Sequence, residues 1–389
     1  MSFFAKRKPG GSKAYAKLPP RERAITFFAE DSGSWPHFEP IVEHLTATHA
    51  LSVSYLTSSP TDPVLDSKNP RLHAFDVGDG FSRTMLFQML EAGVFIATLP
   101  RLGISVFPRS KKAASLGTKY IHVFHSMAST HMIYDADGFD QYDTIMCAGP
   151  FMVDEIRARE RANGLVAKQL VEHGYGRLDT IIANRTARET EIGAPLNVLI
   201  APSWGPTCIF ETCGVELIDI LLKDGCSVVA RPHPETVKRT PDAIKKLRDA
   251  HGMHPNFTLE TDIASQVSLH SSDIMISDWS GAALEYAFGL DRPVLFIDVP
   301  RKVNNPDWQQ LGIEPFEASI RDHIGATVSV TDFHLVPAKI HELVADPTAF
   351  ATRIRAARDT HIFNVGRSGA VAAQHIAGAV APYLAKVPR

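Results

Sequence analysis

The stretch Ile274-Met-Ile-Ser-Asp-Trp-Ser-Gly-Ala-Ala-Leu-Glu-Tyr-Ala-Phe-Gly289 decides the fold class of this chain. Its first four residues form a short, mostly apolar run that is typical of a buried strand. A polar turn follows at Asp278, and a helical pattern over Gly281–Gly289 comes directly after it. The same succession of strand, turn and helix recurs along the chain, which is typical of a parallel sheet with helices on both faces.

Ten segments have the length and composition of strands. In the first half they are Ala24–Ala29, Leu51–Leu56, Val94–Ala97, Ile121–Phe124 and Thr144–Cys147. In the second half they are Asn197–Ala201, Ser227–Ala230, Phe257–Glu260, Ile274–Ser277 and Val294–Ile297. The predicted helices are Pro40–Leu45, Phe151–Arg161, Glu211–Lys223, Asp242–His251, Ile263–His270 and Gly281–Gly289. The sequence therefore predicts an α/β protein of two Rossmann-like domains that face a cleft.

A chain of 389 residues is long for one core, so we expect two domains. We predict a basic, flexible lead over 1–23, a first domain over 24–185 and a second over 186–365. A terminal helix over 366–389 is predicted to pack back on the first domain, by analogy with similar folds. The basic residues of the lead are Lys6, Arg7, Lys8, Lys13, Lys17, Arg21 and Arg23. They suit either a solvated tail or attraction to an anionic membrane surface.

The overall composition excludes several classes of protein. A formal net charge of -3 gives no reason to expect a nucleic-acid partner. The four cysteines, Cys147, Cys208, Cys213 and Cys226, have no C-x-x-C spacing, so a metal site built on them is not expected. The chain has neither a signal peptide nor an apolar run of about 18 residues, and we expect a cytoplasmic protein.

His125 is the first candidate for chemistry, because it follows the predicted strand Ile121–Phe124 directly. Ligands of open α/β sheets bind outside the carboxyl ends of the strands. An imidazole at such a position can take a proton from an acceptor hydroxyl. A structural histidine is the alternative, and His131 competes for the same role.

The second candidate is the segment Arg231-Pro-His-Pro234, which also follows a predicted strand. Two prolines restrict the backbone on either side of His233. A fixed imidazole ring is useful if it must meet a phosphate or a leaving group. The alternative is a rigid turn that carries a surface histidine.

The third candidate is the turn Ser277-Asp-Trp-Ser-Gly281 at the start of the predicted helix. Free N–H groups and the helix dipole attract phosphate, and Ser280 and Gly281 allow close approach of a diphosphate. Glu285 lies about one turn further along, within reach of a ribose hydroxyl. The structural alternative is that Ser277 or Asp278 caps the helix.

Two further loops follow predicted strands. In Ala201-Pro-Ser-Trp-Gly205, Trp204 beside Ser203 can stack on a base or line the cleft, although a buried tryptophan is the alternative. The loop Glu30-Asp-Ser-Gly-Ser-Trp35 suits close approach of an acceptor, and it equally suits a plain turn.

Taken in order, these segments resemble the CDP-glycerol glycerophosphotransferases, the teichoic-acid polymerase group with a GT-B-type fold. The resemblance covers about residues 119–370 and, more loosely, the first strand. The segments that carry it are Gly176-Arg-Leu-Asp179, Ala201-Pro-Ser-Trp204, Arg231-Pro-His-Pro234, Ser277-Asp-Trp-Ser280 and Arg292-Pro-Val-Leu-Phe296. One motif departs from the family, which has glycine after the first histidine where this chain has Ser126.

The resemblance implies that His125 is the base that activates the acceptor and that His233 contacts the donor diphosphate. It places Ser277, Asp278 and Ser280 around the phosphates. It implies an acceptor-side first domain and a nucleotide-donor second domain. The expected reaction moves a glycerol-phosphate or related polyol-phosphate unit from a CDP-linked donor to a hydroxyl of a cell-surface polymer or lipid-linked acceptor and releases CMP. No cofactor or metal is expected, and contact with the inner face of the membrane is an open expectation.

Three alternatives remain at this point. A glycosyltransferase of the same fold would use a nucleotide-sugar donor and release a nucleoside diphosphate. A nucleotide-sugar epimerase would share the fold without transferring the sugar. A relative that binds nucleotides without catalysis would turn over no donor at all.

Overall fold

The computed structural model describes residues 11–185, 194–261 and 266–388. The chain divides into two compact units. The first unit consists of Met1–His125, Tyr134–Thr180 and Ile362–Arg389, and the second consists of Ser126–Ile133 and Ile181–His361. The change of unit after Thr180 comes a few residues before the predicted boundary, and the membership of Ser126–Ile133 in the second unit was not predicted. Lys6, Arg7, Lys8, residues 186–193 at the predicted domain boundary and the start of the predicted helix Ile263–His270 lie outside the described residues.

The first unit contains a seven-stranded parallel sheet in the order β3-β2-β1-β4-β5-β6-β7. Its strands are β1 Ile25–Ala29, β2 Val53–Thr57, β3 Leu72–Asp76, β4 Val94–Ala97, β5 Lys119–Val123, β6 Thr144–Cys147 and β7 Gln169–Glu172. The sheet is buried on both sides at β1, where Phe27 and Phe28 point into two different apolar clusters. Burial on both faces explains why the central strands are apolar at nearly every position.

The helices of the first unit lie on both faces of this sheet. In chain order they are α1 Gly11–Lys17, α2 Trp35–Glu43, α3 Gly80–Met89, α4 Ala113–Leu116, α5 Pro150–Asn163 and α6 Gly176–Ala183. α2 continues into a π-helical turn, His44–Thr48. Apolar residues of α2 belong to the cluster of Phe27, whereas α1 and α3 contribute to the cluster of Phe28.

The predicted flexible lead over 1–23 is wrong for Gly11–Lys17, because these residues form α1. Tyr15 is only 1% exposed and packs in the core beside α3. Its hydroxyl lies 3.0 Å from the Thr26 hydroxyl, which satisfies the buried polar atom. Burial raises the pKa of Tyr15 above its ordinary value. A single aromatic anchor therefore orders a segment whose charge indicated a solvated tail.

The second unit contains a six-stranded parallel sheet in the order β10-β9-β8-β11-β12-β13. Its strands are β8 Asn197–Ile200, β9 Ser227–Ala230, β10 Phe257–Leu259, β11 Ile274–Ser277, β12 Val294–Asp298 and β13 Gly325–Ser329. Its helices are α7 Ile209–Thr212, α8 Gly214–Lys223, α9 Pro234–Arg239, α10 Pro241–His251, α11 Val267–Ser271, α12 Gly281–Leu290, α13 Phe316–Ser319, α14 Arg321–Ile324, α15 Val336–Val344 and α16 Pro347–His361. This strand order is that of the doubly wound nucleotide-binding fold.

All ten predicted strands are present with small shifts at their ends, and β3, β7 and β13 are additional. Each of these three strands lies at an edge of its sheet. The helix predicted over Glu211–Lys223 divides at Cys213 into α7 and α8.

The chain finally returns to the first unit and forms α17, Ser368–Leu384. The Asp179 carboxylate fixes the start of this helix, accepting hydrogen bonds from the Gly366 N–H at 2.6 Å and the Ser368 N–H at 2.9 Å. α17 packs against α2. Within the described part of the chain, every helix is too short or too polar to span a lipid bilayer.

Gly369 tests the contact between α17 and α2. A Cβ atom at this residue would lie 2.7 Å from the Pro40 carbonyl oxygen. Because backbone cannot move aside cheaply, we expect Gly369→Ala to lower the free energy of unfolding by about 1–3 kcal/mol. Gly378 is the matched control in the same helix, since its Cβ would meet no atom within 4 Å. Gly378→Ala should leave the free energy of unfolding unchanged or raise it by up to about 1 kcal/mol. Urea titration of both variants measures the difference, and equal values would contradict the packing.

Candidate functional site

The strand order of the second sheet reverses between β8 and β11, and the loops after these two strands meet there. The Asp278 carboxylate joins them. One of its oxygens accepts a hydrogen bond from the Ser203 N–H at 2.7 Å, and the other accepts from the Ile209 N–H at 3.1 Å. The Ser277 hydroxyl donates to the Ala201 carbonyl oxygen at 2.8 Å. The crevice at such a reversal is the usual ligand site of this fold.

These contacts show that Ser277 and Asp278 support the backbone of the site and do not face the crevice. Asp278 is 1% exposed and Ser277 is fully buried, and the contacts above lie along the backbone of the neighbouring loop. The alternative that Ser277 or Asp278 caps the following helix is wrong. Ser280 is the cap of α12, and its hydroxyl oxygen accepts from the Ala282 N–H at 3.3 Å.

The N-terminus of α12 allows very close approach by another part of the chain. A Cβ atom at Gly281 would lie 2.4 Å from the Ser126 hydroxyl oxygen, so a larger residue at this position would require that hydroxyl to move. The first N–H groups of a helix have no partner within the helix, and they attract anions. Glu285, one turn further along, is buried within the unit.

Ser126 begins a segment, Ser126–Ile133, that is held firmly in the second unit. The Glu317 carboxylate accepts from the Ser129 N–H at 2.8 Å and from its hydroxyl at 2.9 Å. The Asn305 amide donates to the His131 carbonyl oxygen at 2.8 Å. The His131 ring is itself buried, with Nε2 at 3.0 Å from the Ile313 carbonyl oxygen. His131 is therefore poorly placed to act as a base.

His125 directly precedes this segment in the chain and is exposed beyond the carboxyl end of β5. Within the first unit its ring lies 6.4 Å from that of His37 and 6.0 Å from that of Tyr134, measured between centroids. Burial, with smaller contributions from Arg177 and His125, lowers the pKa of His37 well below its ordinary value. His37 is therefore neutral near pH 7 and adds no positive charge beside His125.

The loop Glu30–Trp35, at the carboxyl end of β1, forms a tight 3-10 turn over Ser32–Ser34. Asp31 caps this turn by accepting from the Gly33 N–H at 2.9 Å. The Ser34 and Thr98 hydroxyl oxygens lie 3.2 Å apart, which connects the ends of β1 and β4. These contacts are those of an ordered turn at the point where the first sheet reverses its strand order.

His233 is the N-cap of α9, and this contact determines which ring nitrogen carries the proton. Nδ1 accepts from the Glu235 N–H at 3.1 Å, so neutral His233 has its proton on Nε2. The flanking prolines, Pro232 and Pro234, restrict the backbone at this cap. Arg231 is mostly buried, and its Nε lies 4.0 Å from the Glu260 carboxylate.

Trp204 joins His233 to a residue that the sequence did not identify. The two rings lie 6.2 Å apart between centroids. The Lys302 ammonium lies 4.2 Å from the Trp204 ring centroid, and the Arg239 guanidinium lies 5.1 Å from it. Both distances are within the range of cation–π interactions. Three groups that can carry positive charge, His233, Lys302 and Arg239, therefore surround one half-buried indole ring.

Lys302 lies in an environment that shifts its titration toward neutral pH. Burial lowers the pKa of Lys302 to about 8, against the opposing attraction of Asp278, Cys208 and Glu235. The only sequence signal for this residue was its place four residues beyond β12. Its position after the end of a strand could have made Lys302 a candidate, but the sequence around it contains no recognisable motif.

The described residues contain no group of three or more His, Cys, Asp or Glu side chains arranged to hold a metal ion. The groups that surround Trp204 in the second unit are a hydrogen-bond donor and two cations, His233, Lys302 and Arg239. Such groups suit a ligand with negative charge next to an aromatic ring.

Comparison with known proteins identifies relatives of both the sequence and the fold. A family model described as CDP-Glycerol:Poly(glycerophosphate) glycerophosphotransferase matches residues 77–300, more than half of the chain. No curated protein sequence matches.

Among solved structures, the wall teichoic acid polymerase TagF soaked with CDPG aligns over 96% of this chain and 93% of its own, with 14% identity and a TM-score of 0.60. S. aureus MnaA with UDP covers 93% and 97%, at 13% identity and a TM-score of 0.57. The UDP-GlcNAc 2-epimerase of Methanocaldococcus jannaschii covers 89% and 97%, at 11% identity and a TM-score of 0.57. Identities this low show the fold alone, and the predicted class of two parallel-sheet α/β domains of the GT-B type is confirmed.

Replacing Asp278 tests its supporting role. Asp278→Ala leaves the Ser203 and Ile209 N–H groups without their acceptor, and we expect the free energy of unfolding to fall by about 3 kcal/mol. Asp278→Asn keeps one acceptor oxygen and should lose about half as much. The control Asp249→Ala removes an exposed ion pair with Lys245 and should leave the free energy of unfolding almost unchanged. Denaturant unfolding compares the three variants, and an Asp278→Ala loss no larger than that of the control would refute the role.

Proposed function

This chain belongs to the CDP-glycerol:poly(glycerophosphate) glycerophosphotransferase family, and from that membership we propose its reaction. It transfers a glycerol-phosphate or related polyol-phosphate unit from a CDP-linked donor to a hydroxyl of a cell-surface polymer or lipid-linked acceptor, and it releases CMP. The observation that carries the proposal is the grouping of His233, Lys302 and Trp204 beside the crevice that Asp278 organises.

The donor diphosphate is proposed to lie between these cations and the start of α12. His233 donates from Nε2, Lys302 supplies an ammonium group, and the N–H groups after Ser280 and Gly281 meet the phosphate oxygens. Trp204 offers a face on which the cytosine ring stacks. Charge that develops on the departing CMP is then met by donors already in place.

The remaining candidate residues receive supporting or peripheral roles. We assign Ser277 and Asp278 to holding the loop of Ser203 rather than to direct phosphate contact. Arg231 is two residues before His233, and we assign its guanidinium, which lies 4.0 Å from the Glu260 carboxylate, a supporting role in the donor site. Ser126, which lies against Gly281, is assigned to a phosphate oxygen, and Glu285, one turn inside α12, is assigned to a ribose hydroxyl.

The proposed chemical step is a substitution at the phosphorus atom that bears the polyol. His125 takes the proton of the acceptor hydroxyl, whose oxygen forms the new P–O bond. The bond from that phosphorus to the bridging oxygen breaks, and CMP departs with the electron pair. Transfer of this kind depends on positioning and charge stabilisation. The proposal for His125 is supported by its exposure and by its place next to Ser126, which lies against Gly281.

The proposed location is cytoplasmic, peripheral at the membrane, where a nucleotide-linked donor and a lipid-linked or polymeric acceptor can meet. Release of a nucleoside diphosphate from a sugar donor, or epimerisation of a UDP-sugar, would favour the other activities of this fold instead. A panel of CDP- and UDP-linked donors distinguishes these outcomes.

Histidine variants test the assigned roles. We expect His125→Ala and His233→Ala each to lower kcat/KM for CMP release from CDP-glycerol by about 100-fold or more, since each loses a proton-transfer or charge-stabilising group. His233→Asn keeps a capping acceptor for α9 and should retain stability while losing activity. The control is His334→Ala, at an exposed position, which should be fully active. Chromatography of released nucleotide measures the rate, and normal rates in both alanine variants would refute the mechanism.

The titration of Lys302 should make the affinity of the donor site for CDP depend on pH. With a pKa of about 8, its amine is charged below that pH and loses its charge as the pH rises through 8. Binding of CDP should therefore be tightest near neutral pH and weaken by about tenfold by pH 9.5. Lys302→Met should bind about tenfold more weakly at pH 7 and show no such dependence, whereas Lys302→Arg should stay charged throughout.

Isothermal titration calorimetry between about pH 6.5 and 9.5 measures these affinities. Lys246→Met, at an exposed position of α10, is the matched control and should behave as the unaltered chain. If Lys302→Met retains the full pH dependence, the titrating group is another residue and the assignment fails.

A further inference from the structure

His37, near the start of α2 in the first unit, is a buried imidazole with an unsatisfied ring nitrogen. The residue is 6% exposed. Its Nδ1 atom is buried and has no hydrogen-bond partner among the residues that the structure describes. Buried polar atoms in folded proteins are nearly always paired, because an unpaired one costs free energy. The missing partner of His37 is therefore expected to be a bound molecule, either water or a ligand.

The surroundings of His37 fix the position of its ring. Pro36 lies in the first turn of α2 and restricts the backbone directly before His37. The Tyr175 ring lies 5.4 Å from the His37 ring, measured between centroids. A Cβ atom at Gly176 would lie 3.5 Å from the His37 carbonyl oxygen, so the start of α6 packs against this turn. The imidazole is therefore held in one place beyond the carboxyl end of β1.

His125, the proposed base, is close enough to His37 for one small ligand to reach both rings. Their centroids lie 6.4 Å apart, and the ring planes are nearly perpendicular. An oxygen that forms a hydrogen bond with a ring nitrogen lies about 4 Å from the centroid of that ring. Because the separation of the rings is smaller than two such spans, a ligand can form hydrogen bonds with both imidazoles. The exposed position of His125 gives such a ligand access from solvent.

The protonation state of His37 favours a hydroxyl group as its partner. Burial, with smaller contributions from Arg177 and His125, lowers the pKa of His37 well below its ordinary value, so the ring is neutral near pH 7. A neutral imidazole has one donor and one acceptor nitrogen, and a hydroxyl likewise donates and accepts. The neutral ring offers no charge to a phosphate oxygen. A hydroxyl therefore matches His37 better than an anion does.

We infer that His37 and His125 together bind two adjacent hydroxyl groups of the acceptor, a 1,2-diol, and this inference rests on the proposed function. His125 takes the proton of the hydroxyl whose oxygen attacks phosphorus. His37 takes no proton and forms a hydrogen bond with the neighbouring hydroxyl, which orients the acceptor. A hydrogen bond from His37 to the attacking oxygen itself would withdraw electron density from the nucleophile, so the neighbouring hydroxyl is the better partner.

Transfer from CDP-glycerol to two small alcohols tests this acceptor site, with 1,2-propanediol and 1-propanol as probes that differ by one hydroxyl. Mass spectrometry of the products measures transfer, and released CMP measures the total rate. The unaltered chain should use the diol with a kcat/KM at least about tenfold higher than that for 1-propanol. His37→Leu should raise KM for the diol by about tenfold and remove this preference, while CMP release to water alone changes less than about twofold. His37→Gln keeps a hydrogen-bonding group and should retain part of the preference.

Stability measurements separate a ligand-binding role of His37 from a structural one. Leucine is apolar and similar in size to histidine, and it leaves no buried polar atom unpaired. His37→Leu should therefore unfold at the same or a higher urea concentration than the unaltered chain. His173 is the matched control, since it is 2% exposed and its Nε2 also has no hydrogen-bond partner within the described ranges. His173→Leu should keep the full preference for the diol.

Three outcomes overturn the inference. They are an unchanged diol preference in His37→Leu, an equal loss in His173→Leu, and CMP release by the unaltered chain with no preference for the diol. An absence of any CMP release from CDP-glycerol would instead refute the proposed function. In that case the ring nitrogen resonances of His37, measured by ¹⁵N NMR without donor, still test the site. A shift with 1,2-propanediol that 1-propanol does not produce supports diol binding, and no shift overturns it.

Discussion

The Asp278 carboxylate lies between two backbone N–H groups, and the arrangement of the second unit's site depends on this contact. It joins the loops that leave β8 and β11, where the strand order of the sheet reverses. The loop of Ser203 in turn positions Trp204, whose ring lies near His233 and Lys302. A charged group buried with two good donors is stable, and the same group without them is costly. The contact therefore tolerates little change, and the cations around Trp204 depend on it.

The central part of both sheets could be predicted from the sequence because buried parallel strands are continuous apolar runs. Three of the four edge strands, β3, β7 and β13, were not predicted, whereas the edge strand β10 was. β7 contains Gln169 and Glu172, and β13 begins at Gly325, so neither has the composition of a buried strand. One side of an edge strand is exposed to solvent, so an edge strand can contain polar and charged residues. Tyr15 shows the converse case, in which one buried aromatic residue orders a segment that is otherwise basic.

The candidate loops follow strands, as the sequence predicted, but the sequence did not predict the direction in which their side chains point. Ser277, Asp278 and Ser280 are neighbours in one turn, yet two support the backbone and the third caps a helix. That difference depends on the backbone of the loop after β8, with which Ser277 and Asp278 form hydrogen bonds. The local sequence around Ser277 carries no information about that loop. Lys302 was missed for the same reason, because its significance comes from Trp204, nearly one hundred residues earlier in the chain. Whether His125 and His233 act together remains a proposal that rests on the family.

The return of the chain to the first unit has a consequence for the order of folding. Ala372, Ile376, Val380 and Tyr383 of α17 belong to the apolar cluster that contains Phe27 of β1. Proteins are synthesised from the N-terminus, so the ribosome releases all residues of the second unit before it releases this helix. The sheet of the first unit is therefore synthesised first, but the apolar core on one of its faces is completed last. That face lacks the apolar side chains of α17 until most of the chain has been translated.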